Sequence, residues 1–532
     1  MTRTIRGAAL LAAALGLALS GCGGGGGSGG SVGAPVVGNP DTPLYGPAGP
    51  SSSFAQQCAS NNTLAAGNLR TASLSTEKSW LRAYFDEAYL WRDEVPSVNP
   101  NLASYSGSDT YVAMDNYFEA LKTTGVTGSG QLRDRFSFTY PTTEWQALSG
   151  SGVEAGYGIE WTLASVTPPR QIRVAYVEAG SPADLAGIVR GDQLVTADGT
   201  SADTTSNTGT DALNAALYPG QAGTAHNFTF TRNGGATITR SLTSAAVTRT
   251  PVPIAKVVTT PLGTKAGYVL FNDHNAPSEA QLITAMRSFQ TQGVQELVLD
   301  LRYNGGGYLY IASELATMIA GTTRTAGQAF ETLKYSAKRS SENTTTPFFT
   351  TSCNLVGNSC TTQDALPTLN LARVYVLAQS GTCSASESVI NSLRGVGVDV
   401  VLVGGKTCGK PYGFTPRDNC GVTYFPIEFA GVNAQGFGDY ADGFEPSATG
   451  TAGTRFVKGC TVADDMGHAL GDTSESMLAS ALGHVDRGSC PVLASGSSAT
   501  VHAQSAASGE GGSAALTLRR NPARNNRIWL GR

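Results

Sequence analysis

The sequence predicts an α+β protein of several domains, and three observations support this fold class. The chain has 532 residues, enough for two or three domains. Apolar residues recur with helical spacing in residues 54–147, whereas residues 148–248 contain glycine loops followed by strands. Residues 371–413 form the pattern strand, turn, helix, strand, which is typical of a βαβ unit.

The composition limits the possible partners. Hydrophobic residues make up 41% of the chain, which permits a sizeable core, and the net charge is −4. No broad basic field is expected, so nucleic acid is not a predicted partner. The 5 histidines are scattered without metal-ligand spacing. The sequence therefore predicts no metal site and no cofactor.

The N-terminus has the pattern of an export signal. Basic residues precede an apolar run, Ala8–Leu19, that is too short to span a membrane stably. The ending Leu-Ser-Gly-Cys at 19–22 resembles the bacterial lipoprotein box, which implies cleavage before Cys22 and a lipid on its sulfur. Because Gly23 follows, the resemblance implies the outer membrane, facing the periplasm. An ordinary secretory signal is the alternative.

The remaining cysteines are even in number, which suggests disulfides in an exported chain. Cys353 and Cys360 close a short loop and are the pair that the spacing favours. A bond between Cys408 and Cys420 is the second expectation. Cys383 has two open interpretations, a bridged cysteine or a free thiol.

Residues 54–147 are predicted to be mostly helical. Trp80, Tyr84, Ala88 and Trp91 follow helical spacing, and such an aromatic stripe is more often core than a ligand site.

Residues 148–248 resemble a PDZ domain. The resemblance is carried by a glycine loop at 154–160, a Ser-Pro-Ala-Asp-Leu-Ala-Gly segment at 181–187 and a Gly-Asp-Gln-Leu segment at 191–194. In that fold, backbone N–H groups of the glycine loop bind a peptide's C-terminal carboxylate, while the peptide adds a strand to the sheet. Here the implied site residues are Gly156, Tyr157, Gly158 and Ile159. A glycine turn without ligand is the alternative.

A second glycine loop follows a predicted buried strand, Leu297–Leu301. The run Asp-Leu-Arg-Tyr-Asn-Gly-Gly-Gly at 300–307 precedes a helix, so its glycines permit close backbone approach and direct N–H groups outward. The run lacks the usual nucleotide-binding motifs.

Ser384 lies between the predicted strand Val374–Leu377 and a helix that begins at Ala385. The free N–H groups of a first helical turn suit an oxyanion. A serine hydroxyl needs a base, and a desolvated lysine, Lys406 or Lys410, could serve. The simpler interpretation is that Ser384 caps the helix.

The motifs together resemble the C-terminal processing (tail-specific) serine peptidases over roughly residues 75–450. The resemblance implies an α/β core with the crotonase/ClpP-like ββα fold. Its motifs occur in the family's order: a helical segment, a PDZ domain, then Asp-Leu-Arg-x-Asn-Gly-Gly-Gly at 300–307, Ser-Ala-Ser-Glu at 384–387 and Thr-Cys-Gly-Lys at 407–410.

The resemblance assigns roles by position. Ser384 corresponds to the nucleophile and Lys410, rather than Lys406, to the general base. The oxyanion donors would be the backbone N–H groups of Gly307 and Ala385. The chain departs from the pattern at Phe414, where family members often carry a glutamine that is thought to orient the lysine.

These inferences predict a serine endopeptidase of exported envelope proteins, with a Ser-Lys dyad and a PDZ domain that binds exposed substrate C-termini. Two alternatives stay open, a non-catalytic PDZ adaptor and a small-molecule hydrolase. The predicted segments are a lipoprotein signal peptide (1–22), a flexible linker (23–53), a helical N-terminal domain (54–147), a PDZ domain (148–248), the peptidase core (249–490) and a disordered tail (491–532).

Overall fold

The computed structural model describes residues 45–165, 167–356, 359–491 and 527–528. The predicted signal peptide, Cys22 and most of the predicted linker lie outside these ranges. Within them, no helix combines the length and the apolar character that a membrane crossing requires.

The N-terminal segment is built around two capped helices. Ser73 and Asp109 accept hydrogen bonds from backbone N–H groups of the first turns, as helix N-caps do. Its elements are α1 (Leu74–Ala88), α2 (Thr110–Leu121), β1 (Phe138–Pro141) and α3 (Thr142–Ser151).

This segment has no separate core. Trp80 and Phe85 of α1 are buried in the same apolar cluster as residues from the 249–490 region. A disulfide between Cys58 and Cys420 also joins the two parts of the chain. The helical segment is therefore packed as a layer on the predicted peptidase core.

The region that resembles a PDZ domain is a six-stranded antiparallel sheet, in the order β3-β4-β5-β7-β8 with β6 beside β5, and a two-stranded pair, β2 and β9. It has its own buried cluster, which includes Trp161 and Phe228. Its elements are β2 (Val153–Gly156), β3 (Ile159–Leu163), β4 (Ile172–Val177), α4 (Pro182–Leu185), β5 (Gln193–Ala197), β6 (Thr200–Ser201), α5 (Asn207–Leu217), β7 (Ala225–Arg232), β8 (Ala236–Thr243) and β9 (Ala245–Thr248).

The C-terminal region is organised on a seven-stranded sheet in the order β10-β11-β12-β18-β19-β25-β24, parallel except for β10. The elements up to β17 are β10 (Ile254–Thr259), β11 (Lys265–Leu270), α6 (Ser278–Gln292), β12 (Glu296–Asp300), β13 (Gly307–Tyr308), α7 (Leu309–Ala320), α8 (Thr322–Thr325), β14 (Ala329–Tyr335), β15 (Thr344–Pro347), β16 (Leu355–Val356) and β17 (Ser359–Cys360). The following elements are β18 (Arg373–Ala378), α9 (Ala385–Gly395), β19 (Asp399–Gly404), β20 (Tyr412–Gly413), β21 (Arg417–Asn419), β22 (Val422–Phe425), β23 (Phe429–Val432), β24 (Glu445–Ser447), β25 (Phe456–Thr461), α10 (Ser476–Arg487) and β26 (Arg527–Ile528).

Both faces of this sheet are covered. Val376 of β18 packs into the cluster with α6, α7 and α9, whereas its neighbours Tyr375 and Leu377 pack against α10 on the other face. Alternation of this kind follows from the two-residue period of a strand. The C-terminal ends of the neighbouring strands β12 and β18 lie at one edge of the sheet. The predicted glycine loop begins after β12, and the predicted serine loop begins after β18.

The PDZ region contacts the core through buried charges. Arg190 donates to Asp464 at 2.6 Å and to the Tyr303 hydroxyl at 2.6 Å. Arg302 donates to the same Asp464 oxygen at 2.8 Å. The neighbouring arginines hold the pKa of Asp464 down to about 2, against the effect of its burial.

The last described residues differ from the sequence prediction. Arg527–Ile528 form a two-residue strand, and Ile528 is buried in the main apolar cluster. At these two positions the structure therefore departs from the disordered tail predicted for residues 491–532.

Candidate active site

Ser384 lies at the strand-to-helix turn that the sequence indicates. β18 ends at Ala378 and α9 begins at Ala385, so Ser384 is the residue before the helix. Its backbone has φ 60° and ψ −115°, a conformation that costs a non-glycine residue about 1–3 kcal/mol and that is common at functional sites. The Oγ atom is buried and makes no hydrogen bond of standard geometry among the described residues, although it faces the backbone N–H of Glu387 in a capping box, as the simpler interpretation predicts.

A buried carboxylate joins the serine turn to the lysine loop. Oε2 of Glu387 accepts the backbone N–H of Ser384 at 3.0 Å and that of Lys410 at 2.8 Å. Oε1 accepts the backbone N–H of Gly409 at 2.8 Å and the Thr407 hydroxyl. Because one oxygen bonds both amides, the backbones of Ser384 and Lys410 meet at one place.

The charge of Glu387 is subject to opposing influences. Burial raises the pKa of this carboxyl, whereas its hydrogen bonds from Thr407, Lys410, Gly409 and Ser384 lower it. Those donors can be satisfied together only by an acceptor with several lone pairs, which a carboxylate provides.

A disulfide makes a second connection between the same two loops. Cys383 and Cys408 are bonded, with 5.2 Å between their Cα atoms. The expected pair Cys408–Cys420 is therefore wrong. Cys420 follows β21, whose neighbour β22 pairs with β1 of the N-terminal segment, and this brings Cys420 to Cys58. The expected Cys353–Cys360 bond is confirmed.

The two candidate lysines differ in environment. Lys410 is fully buried, whereas Lys406 is partly exposed. The Lys410 Nζ atom lies 4.4 Å from the ring centroid of Phe414 and 5.3 Å from that of Phe136. Phe414, which replaces the glutamine expected from the resemblance, thus contacts the lysine through its ring. Of the two lysines, Lys410 has the desolvated site that a neutral amine requires.

The glycine loop is fastened to the serine turn. The Asn304 carbonyl accepts the Cys383 N–H at 3.0 Å and the Ser386 hydroxyl at 3.1 Å. Gly307 has φ 138°, and a Cβ there would lie 2.5 Å from the His274 carbonyl oxygen, so only glycine fits. This arrangement brings the strand of Gly307 and the first helical residue, Ala385, to the same edge of the sheet.

His274 is a member of this site that the sequence analysis does not single out. Its ring Nδ1 lies 3.0 Å from Oδ1 of Asn304. Its backbone N–H donates to the Gly306 carbonyl, and its backbone carbonyl accepts the Tyr308 N–H. Burial lowers the pKa of this imidazole to about 3, so it is neutral. A single histidine without a neighbouring motif gives no signal in the sequence.

The PDZ-like glycine loop connects β2 and β3. Gly156 ends β2, Ile159 begins β3, and Gly158 has φ 79°. The Tyr157 ring packs inward against Phe228, with 5.3 Å between ring centroids. All four residues line a groove whose other walls are the end of α5 and the helix α3. The predicted carboxylate loop therefore opens on a groove of the kind that binds an added strand.

Three family profiles match the chain. Residues 265–418 match Peptidase family S41, residues 76–138 match the Peptidase S41 N-terminal domain, and residues 173–232 match a PDZ domain. These matches confirm the multidomain organisation of a helical N-terminal region, a PDZ domain and a peptidase core.

Curated relatives and a solved structure are similar to this chain and are described as proteases of the same kind. A carboxyl-terminal-processing protease of Picosynechococcus sp. is 29% identical over 49% of this chain and 56% of its own length. The chloroplastic carboxyl-terminal-processing peptidase 3 of Arabidopsis thaliana is 29% identical over 43% of this chain and 41% of its own length. An S41 protease structure from Bacteroides fragilis has a TM-score of 0.54 and 25% identity, over 77% of this chain and 97% of that one.

The fold, the site and the matches make this chain similar to peptidases that carry a PDZ domain. Residues 265–418 of its core match the S41 family, and the resemblance to the carboxyl-terminal-processing peptidases is confirmed. The matches span about two fifths to three fifths of the length of these two curated relatives.

Proposed function

We propose that the chain is a serine endopeptidase in which Ser384 is the nucleophile and Lys410 the general base. The observation that carries the proposal is the shared bond of their backbone amides to one oxygen of Glu387. It holds the strained serine turn and the backbone of a fully buried lysine at one oxygen, an arrangement that supports a Ser-Lys pair.

The reaction that this assignment implies is acyl transfer. Lys410 Nζ takes the Ser384 proton as Oγ attacks the peptide carbonyl, and the N–H groups of Gly307 and Ala385 hold the oxyanion. Loss of one such donor typically costs roughly 2.7–4 kcal/mol. The C–N bond breaks as the leaving amine takes the proton from Lys410. Water then hydrolyses the ester and frees the serine.

The test is proteolysis of an unfolded protein by matched variants. Ser384→Ala is expected to abolish cleavage, whereas Ser392→Ala, another buried serine of α9, should leave it unchanged. Lys410→Ala should abolish it and Lys406→Ala should not. Cleavage by Ser384→Ala at the wild-type rate would refute the assignment.

The substrates in this proposal are exported envelope proteins with exposed C-termini, bound by the groove at Gly156–Ile159. Cys22 would carry the lipid that anchors the enzyme to the outer membrane, facing the periplasm. Cys22→Ser should release the protein from the membrane fraction and prevent palmitate labelling. A wild-type distribution of this variant would exclude lipid anchoring.

A PDZ adaptor without catalysis is the second candidate. Phe414 favours it, because an aromatic ring contacts the Lys410 amine where a glutamine is expected. An adaptor would bind C-terminal peptides through the PDZ groove without cleaving them in any variant.

A further inference from the structure

The described C-terminal residues lie in a groove beside the candidate active site. β26 pairs in parallel with β13, with Arg527 opposite Gly307 and Ile528 opposite Tyr308. Ile528 also forms a parallel bridge with Phe414. One wall of the groove is thus β13, which contains the proposed oxyanion donor Gly307. The other wall begins at Phe414, four residues after the proposed base Lys410.

The side chain of Ile528 fills an apolar site. It is 2% exposed and belongs to the main apolar cluster. A small cavity beside this side chain is lined by Ile528 itself, by Trp145 and Leu148 of α3, and by His274 and Tyr308. A backbone strand paired on both sides, with one side chain in a pocket, is how peptidases and other peptide binders hold an extended chain.

The proposed catalytic groups are also buried. Ser384 and Lys410 are both 0% exposed, although a nucleophile must reach a substrate carbonyl. A second extended peptide could not pair with β13 and with Phe414 while β26 holds both positions. The segment at 527–528 and a substrate strand therefore compete for one groove.

We propose that the segment at Arg527–Ile528 is a built-in occupant of the peptidase groove and holds the enzyme in a resting state. The inference rests on the proposed function and deepens it. Substrates would be extended chains that carry an aliphatic side chain at the position of Ile528, and they must displace the tail. A competent fraction of 1–10% would weaken apparent substrate binding by about 10- to 100-fold.

The first experiment measures binding without catalysis. Full-length Ser384→Ala protein is prepared with the native tail and with Ile528→Asp, and the probe is a fluorescent peptide of residues 521–532. The peptide is amidated at its C-terminus so that the PDZ carboxylate loop is not engaged. We expect at least about tenfold tighter binding to the Ile528→Asp protein, because its own tail no longer fills the groove.

The specificity control changes the probe peptide and not the protein, so protein folding is not affected. A peptide with aspartate at the position of Ile528 should not bind, and one with valine should. Equal binding of the native peptide to both proteins, or equal binding of the valine and aspartate peptides, would overturn the inference.

The second experiment measures turnover of an unfolded protein by enzyme with intact Ser384. Ile528→Asp should raise kcat/KM about tenfold, whereas Ile528→Val should match wild type. A loss of activity in Ile528→Asp, with an unchanged Tm, would refute the resting state. If no variant cleaves while the peptide binding stands, the proposed function fails and the groove assignment survives.

Discussion

Ser384 and Lys410 donate their backbone N–H groups to the same oxygen of Glu387, at 3.0 and 2.8 Å. A helix N-terminus and a loop that follows the next strand are thereby held at fixed separation. The carboxylate bonds the backbone amides of Ser384 and Lys410 and not their reacting side-chain atoms, so we regard Glu387 as a positioning residue.

Glu387→Gln should lower kcat by about 100-fold with little change in KM. An amide presents only one acceptor oxygen to the donors of Glu387, so the serine turn and the lysine loop separate, and displacements of about 1 Å can cost this much. Steady-state kinetics on a peptide substrate would measure kcat and KM separately. Glu342→Gln, at an exposed ion pair with Arg339, is the matched control and should behave as wild type. A fall in kcat matched by an equal loss of folded protein in thermal unfolding would argue for general unfolding.

Removal of the Cys383–Cys408 disulfide should reduce both stability and activity. The bond spans 25 residues, and loop-closure entropy assigns such a crosslink about 3 kcal/mol. It also fastens the proposed nucleophile turn to the base loop. The double variant Cys383→Ser/Cys408→Ser would be compared with wild type by thermal unfolding and by proteolysis.

The matched control for the disulfide is Cys353→Ser/Cys360→Ser, which opens a bond spanning 7 residues. This variant should lose about 2 kcal/mol at most and keep its activity. Equal loss of activity in both double variants would show that the Cys383–Cys408 bond has no special role in the site.

His274 should make thermal stability depend on pH. The pKa of its imidazole falls from 6.5 to about 3 on folding, because burial disfavours the charged form. Below pH 6.5 the unfolded state therefore binds a proton that the folded state does not. Stability should fall on acidification by up to about 1.4 kcal/mol per pH unit.

His274→Gln keeps an amide donor for Asn304 and removes this titration. Between pH 6.5 and 4, its Tm should fall less steeply than that of the wild type. Parallel Tm curves for the two proteins over this pH range would contradict the prediction.

Gly158→Ala should weaken binding of peptides with a free C-terminal carboxylate by about tenfold. Its φ is 79°, and a Cβ would lie 2.3 Å from the Ser181 Cβ, so the loop must move. Gly180→Ala shares the positive φ, 73°, but its Cβ would meet open space, and it should bind as wild type. Fluorescence anisotropy with free and amidated peptides measures the difference. An equal effect on both peptides would exclude carboxylate recognition by this loop.

Local patterns in the sequence predict much of the site. The turn before Ala385 follows from a β-branched run, small residues and a helical stripe, all within about 25 positions. The glycine at 307 is recognisable because three successive glycines separate a strand from a helix. Such features depend on neighbours along the chain, and the structure agrees with them.

The sequence does not predict the features that depend on tertiary contacts. Cys408 is closer in sequence to Cys420 than to Cys383, yet strand order, not spacing, decides its partner. The pairing of Ile528 with Tyr308 and Phe414 joins positions far apart in the chain, and two residues carry no periodic signal. The contact between His274 and Asn304 depends on tertiary packing, and no sequence motif predicts it.

The Cys58–Cys420 bond, with a sequence separation of 362, closes a ring that contains the PDZ domain and most of the predicted peptidase core. During synthesis the helical layer cannot be covalently secured until the ribosome has passed residue 420. Maturation of this bond is thus a late event, and a cut in any loop inside the ring would leave the two fragments joined.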